Sequence, residues 1–194
     1  MPKIRSLCVF CGSRQGSNPA YELAARKLGK LMGEKGINLI YGGGSIGIMG
    51  IIAEAVAASG GGVTGIMPKF LMDLEIGNTA VGSLKLTDNM HARKNLMYEL
   101  SDGFISLPGG IGTLDETFEV ISWKQLRLHD KPIVLLDCED YWHEFESLVK
   151  KIILSEFAHD SVRALYTLVK DPNEVFPAIE NPPQVSEEVL TSHI

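Results

Sequence analysis

Three short apolar runs end in glycine-rich turns, and each turn opens a stretch of helical character. That recurrence leaves few folds open to the chain. Residues 6–10 run into Gly12-Ser13, residues 37–41 into Gly42-Gly43-Gly44-Ser45-Ile46-Gly47, and residues 103–107 into Pro108-Gly109-Gly110-Ile111-Gly112. After the first turn, Asn18 is placed to cap a helix and Pro19 suits its first position. Leu23, Leu28, Leu31 and Met32 mark the face of that helix before Gly36 stops it. Residues 48–59 read as a small-residue helix ended by Gly60-Gly61-Gly62, and 63–67 as a third strand. The stretch 68–83 is irregular and reads as a loop over one end of the sheet. A strand around Leu84-Lys85-Leu86 then leads to a helix from Asp88, its candidate cap. Further strands are expected at 104–107, 132–137 and 165–169, and helices at 113–127, 141–155 and 171–179, with a short helix before the last strand. Repeated strand–helix units imply right-handed crossovers, hence an α/β fold with a mainly parallel sheet and helices on both faces. The expected organisation is one domain over 1–180 and a polar, Pro182-Pro183-containing tail over 181–194. Ligands of such sheets bind beyond the carboxyl ends of the strands, at a switch in strand order. The three turns should therefore gather on one rim.

The third turn carries the most chemistry. Its glycines sit between a strand and a helix, where unpaired N–H groups and the positive end of the helix dipole face outward. Such a turn lets an anion, phosphate above all, approach the main chain. Glu116 lies one turn into the helix, which suggests chemistry on a phosphorylated molecule rather than binding alone. Asp115 and Glu119 are also favourable near a helix start even without a further role. Glu116, Glu119 and Trp123 share a face, whereas Leu114, Phe118 and Ile121 read as core.

Bulk properties narrow the classes. A chain of 194 residues with 45% hydrophobic and 22% charged residues fits one globular domain. A net charge of −6, from 18 basic and 24 acidic residues, argues against general nucleic-acid binding, which needs a basic face. One locally basic pocket remains compatible with it. The N-terminus lacks the apolar stretch of a secretory signal, and no run approaches the ~20 apolar residues of a membrane span. Three cysteines fit a reduced, cytoplasmic setting better than a disulfide framework. Cys8 and Cys11 form a lone C-x-x-C without the further ligands zinc requires, and with Cys138 they read as buried structural thiols.

Two other segments admit more than one reading. Gly42-x-Gly44-x-x-Gly47 has the form of a dinucleotide fingerprint, but it follows the second strand and lacks the ribose-binding acid about 20 residues on. Its glycines serve equally for tight helix–sheet packing or as part of a nucleotide pocket. Arg93 and Lys94 project about 100° apart on their helix, either as a solvated basic pair or with Arg93 offering its donor fork to phosphate or carboxylate. His91 reads as surface or packing.

Met90-x-x-Arg93-Lys94 together with Pro108-Gly109-Gly110-x-Gly112-Thr113-x-x-Glu116 resembles the Lonely Guy family, the cytokinin riboside 5′-monophosphate phosphoribohydrolases, which carry an older label as lysine decarboxylases. The resemblance runs from Val9-Phe10-Cys11-Gly12-Ser13 through Tyr41-Gly42-Gly43-Gly44 and Gly47-x-Met49-Gly50 to His129-Asp130-Lys131-Pro132. It implies a Rossmann-like, doubly wound fold, a homodimer with its site near the subunit interface, no cofactor and no metal. It also implies hydrolysis of the N-glycosidic bond of an N6-modified adenosine monophosphate to free base and ribose 5-phosphate. By matching positions it makes Arg93 and Glu116 the catalytic pair. The positions it implies for substrate contact are Glu75, Arg93, Lys94, Gly109, Gly110, Ile111, Gly112, Thr113, Leu114, Asp115 and Ser122. Asp115 stands where many members carry Glu, and Ser122 where many carry Thr; both substitutions keep the polar group.

Cleaving that bond builds positive charge on the ribose as the base departs, as in glycoside hydrolysis. A carboxylate beneath the sugar can stabilise the cation, orient the attacking water, or do both. Other readings are a broader AMP or purine nucleotide nucleosidase, a non-catalytic nucleotide-binding module, and a pyridoxal-phosphate decarboxylase. The last would need a Schiff-base lysine, and none is so framed.

Overall fold

The computed structural model describes residues 4–75 and 80–185, with the backbone alone for 73–75. The strands are Ser6–Phe10 (β1), Asn38–Tyr41 (β2), Val63–Pro68 (β3), Ser83–Thr87 (β4), Gly103–Ser106 (β5), Ile133–Leu136 (β6) and Thr167–Val169 (β7). They form one seven-stranded sheet in the order β4-β3-β2-β1-β5-β6-β7, and every pairing is parallel. The helices are Pro19–Glu34 (α1), Gly47–Ala58 (α2), Lys69–Glu75 (α3), Met90–Glu99 (α4), Ile111–Gln125 (α5), His143–Leu154 (α6) and Pro172–Glu180 (α7). Short 3-10 turns cover Cys138–Asp140 and Asp160–Leu165.

β1 shows why the sheet is covered on both faces. Its alternate residues Leu7, Val9 and then Cys11 enter one core with Ala25, Leu28, Ile52, Val56 and Phe176, from α1, α2 and α7. Cys8 and Phe10 enter the other, with Met97, Val120, Phe145 and Val149 from α4, α5 and α6. Successive strand side chains point to opposite faces, so a strand buried on both sides reads as a continuous apolar run. All three cysteines are buried and free. Burial, the largest influence on each, holds the Cys8 and Cys11 thiols well above their ordinary range.

Chain order reverses beside β1: the path runs outward through β2, β3 and β4, then returns to place β5 on β1's other edge. Leu107 N donates to Phe10 O at 2.9 Å and Gly12 N to Pro108 O at 3.2 Å. The first and third glycine turns therefore meet at the switch point, as the strand-end rule requires.

Among the local differences from the sequence expectation, three stand out. Residues 69–75 form α3 instead of loop; Lys, Leu, Met and Glu are good helix formers, but two turns are too few to show a period. The cap of α4 is Asn89, whose Oδ1 accepts from Ala92 N at 2.9 Å. Asp88 instead pairs with Lys69 at 2.8 Å. Helix α5 begins at Ile111, two residues before Thr113, with Gly110 as its cap residue. Asn18 and Asp171 cap α1 and α7, the latter in a full capping box with Glu174. Beyond α7, Val185 packs back onto the α4–α5–α6 core. No helix among the described residues is long and apolar enough to cross a membrane.

Candidate active site

Four strands build the site. β1 and β5 deliver the Gly12 and Gly109 turns, while a carbonyl just after β2 and another within β3 hold one side chain from α4. Arg93 Nε donates to Ile66 O at 3.1 Å and Nη2 to Gly42 O at 3.3 Å. Arg93 is thus buried, at 8% exposure, and the solvated-pair reading fails for it. The reason lies at Gly42: any Cβ there would run into the guanidinium Nη2, so glycine opens the slot in which Arg93 lies. Gly47 has a further role. It adopts φ +64 and lies against the Ser13 main chain, where both the backbone conformation and the lack of space favour glycine.

Across this slot Arg93 Nη1 lies 3.8 Å from Glu116 Oε1, both side chains nearly buried. Burial, the largest influence, pushes the Glu116 carboxyl up to about 7; Arg93 and Lys94 pull against it, and Asp115 and Glu119 add to it. A carboxyl poised near neutrality in a cleft is what acid–base or cation-stabilising chemistry uses. The pair floors a cavity of about 200 Å³ whose walls include Val9, Cys11, Ser13 and Met49. Its lip is the start of α5, residues 110–113. No side chain caps that helix, and a Cβ at Gly110 or Gly112 would meet nothing within 4 Å. The N-terminal amides are therefore open to an anion. On the other side of Gly109 and Gly110 a second cavity, of about 410 Å³, is bounded by Tyr21 and Tyr141. Tyr141 Oη donates to Gly109 O and so steadies the turn.

The other expected positions divide. Lys94 Nζ pairs with Glu119 at 2.9 Å and Asp115 at 3.1 Å. Burial opposes its charge, but hydrogen bonds to Glu119 and Asp115 outweigh it and raise the ammonium pKa. Gly110, Ile111, Gly112 and Thr113 reach the cavity beside Glu116, and Gly109 borders the second one. Leu114 packs on the α4–α5–α6 core. Ser122 is exposed; six residues on from Glu116, it points off that residue's face, at about 100° per residue. Glu75 closes α3, and its side chain lies outside the described residues. His91 is exposed. The roles of the Gly42 and Ile66 carbonyls escaped the sequence reading, because a main-chain acceptor leaves no residue-type signal. Gly42 was visible only as part of a run of glycines.

Residues 49–179 match the family described as "Possible lysine decarboxylase". The chain is 44% identical to "Probable cytokinin riboside 5′-monophosphate phosphoribohydrolase LOGL6" of Oryza sativa subsp. japonica, over 92% of this chain and 71% of that protein. It is 41% identical to cytokinin riboside 5′-monophosphate phosphoribohydrolase LOG3 of Arabidopsis thaliana, over 97% and 88% of the two chains. Among solved structures, the molybdenum cofactor binding protein from Rippkaea orientalis superposes with a TM-score of 0.69 at 21% identity, covering 93% of this chain and 98% of that one. That likeness concerns the fold alone.

Proposed function

The chain belongs to the Lonely Guy family of cytokinin riboside 5′-monophosphate phosphoribohydrolases, and on that premise we propose how its residues carry the reaction. The protein hydrolyses the N-glycosidic bond of a cytokinin nucleotide, an N6-modified adenosine 5′-monophosphate, to free base and D-ribose 5-phosphate. The Arg93–Glu116 pair beneath an uncapped helix start carries the residue-level assignment. The phosphoryl group binds the open amides of residues 110–113, where the dipole of α5 favours negative charge. Held there, the ribose lies over Glu116. Binding at this remote group positions the anomeric carbon. As the C1′–N bond breaks, its electron pair leaves with the base and positive charge grows on the sugar. The Glu116 carboxylate stabilises that charge and orients the water whose oxygen bonds to C1′; the water's proton ends on the base. Arg93 opposes protonation of Glu116 and keeps it in the anionic form the reaction uses.

Lys94, Asp115, Ser122 and Glu75 are assigned to the outer contacts of the substrate. The older decarboxylase label fits poorly, because among the described residues no lysine lines the cavity beside Glu116. A homodimer is part of the same reading. Ile111, at the cavity lip, is 82% exposed, an apolar side chain for a second copy to cover. Light scattering should return twice the mass of one chain. A cytoplasmic location is assigned on the cysteine pattern.

The function is tested by incubating the protein with N6-isopentenyl-AMP, AMP and other nucleoside monophosphates and measuring free base by chromatography. Base and ribose 5-phosphate should appear in equal amounts, fastest with the N6-modified substrate; tight binding without release would refute hydrolysis. The pH dependence follows from Glu116. The reactive form is the carboxylate, whose folded pKa is raised to about 7. So kcat/KM should fall about tenfold per pH unit below 7 and level off above it. A flat profile between pH 5 and 8 would remove Glu116 from the rate-determining charge.

A further inference from the structure

The far end of α5 borders a cavity unconnected with this chemistry. About 480 Å³ in volume, it lies between the last turn of α5, the loop before β6, and the segment after α7, and it falls within the size range of small-molecule sites. Lys124 stands eight residues beyond Glu116, about 12 Å along the helix axis, and none of the residues lining this cavity lines the one beside Glu116.

Two cations meet there. Lys124 is 4% exposed, and among the described residues its ammonium has no hydrogen-bond or ion-pair partner. Its stem is buried, but the ammonium itself reaches the cavity, where an anion can pair with it. Burial, the main influence, pulls the amine below its ordinary range; Asp130 opposes this at a distance. Arg127 N donates to Lys124 O at 3.0 Å, a tight turn that brings the exposed guanidinium of Arg127 to the same mouth. Arg127 adopts φ 56, a backbone conformation that glycine tolerates better, so here a long cation occupies a position that favours no side chain. The wall made by His129 is uncharged. His129 donates Nε2–H to Val120 O at 2.9 Å and accepts from Lys131 N at its Nδ1 at 3.1 Å, and burial, its largest influence, lowers its pKa. Its ring is therefore neutral. Pro182 and Pro183 close the side facing the tail, and Asp130 adds one acceptor at the rim.

We infer that this cavity is a second ligand site, separate from Glu116, which takes the oxyanion head of a small organic phosphate or carboxylate between Lys124 and Arg127. The head group pairs with the two cations. The flat or apolar body of the ligand lies along His129 and the two prolines, and a donor on the ligand can reach Asp130.

Phenyl phosphate and benzoate, which share a ring and differ in the head, are the probes. Each is titrated into full-length protein carrying ¹³Cε-labelled lysine, and the Lys124 resonance, assigned by its loss in Lys124→Met, is followed. A saturable shift with either probe supports the site, and the probe that binds more tightly tells phosphoryl from carboxylate as the natural head group. Arg127→Gly, whose backbone conformation suits glycine, should weaken that binding by about tenfold. Glu116→Gln should leave it unchanged, so failure of the catalytic assignment and failure of this site are separable. Should Lys124→Met fold poorly, Lys124→Arg supplies the assignment. A Lys124 resonance unmoved by both probes up to about 10 mM, or moved with equal affinity in Arg127→Gly, overturns the proposal.

Discussion

Glu116→Gln is expected to slow release of free base by about a thousandfold or more while the protein stays folded. A positioned carboxylate contributes of the order of 10²–10⁴ through proton transfer alone, and charge stabilisation in a dry cleft adds to that. Glutamine has the same shape and keeps a carbonyl oxygen facing Arg93, so little in the packing changes. The substitution also has a thermodynamic signature. The folded-state pKa, about 7, lies above the ordinary carboxyl value of 4.5. The native state therefore holds this proton more tightly than the unfolded chain. Wild-type stability should fall as pH rises from 4.5 to about 7, by roughly 3 kcal/mol if this group acted alone. Glutamine does not titrate, so the variant should lose less stability across that window, although Arg93 then faces no anion. Thermal melts at pH 4.5 and pH 8 read the difference, and an assay for ribose 5-phosphate reads the rate. Turnover within tenfold of wild type would show that Glu116 is not the group on which cleavage depends.

Arg93→Met is the second large effect, and it should act on stability and on the pH profile together. The guanidinium ties α4 to β2 and β3 through the carbonyls of Gly42 and Ile66 and faces Glu116 across the cavity. Removing one partner of a buried ion pair costs about 3–5 kcal/mol. Here Glu116 can relieve part of that by binding a proton, so a loss of about 3 kcal/mol in urea denaturation is the expected figure. The same relief raises the Glu116 pKa further, because the cation that opposed protonation is gone. Residual activity should therefore need a pH above 7, with its midpoint displaced upward from wild type. Arg93→Lys keeps a charge but loses the planar fork that reaches both carbonyls. Its stability should lie between wild type and Arg93→Met. A variant whose midpoint stays at wild-type pH would mean that Arg93 does not govern the charge on Glu116.

Much of the fold was legible because its signals are local. The apolar run 6–10, the Asn18-Pro19 start and the Gly36 stop each act within a few residues, through propensity, capping and turn geometry. Capping at Asn89 in place of Asp88 was harder to read, since adjacent Asp and Asn are near-equal caps and the choice turns on the pairing of Asp88 with Lys69 across 19 residues. Helix α3 was missed for want of length.

The candidate site divides along the same line. The chain by itself determined that an uncapped, glycine-opened helix start would follow β5, and that an acid would stand one turn inside it. Both are properties of consecutive residues. Whether Arg93 would face water or the cavity depended on carbonyls at residues 42 and 66, which come within reach only when β2 and β3 align in register. The charge state of Glu116 was likewise decided by the assembled fold. Burial and the positions of Arg93, Lys94, Asp115 and Glu119 set it, and long-range electrostatics in a desolvated cleft depend on distances that sequence order does not contain.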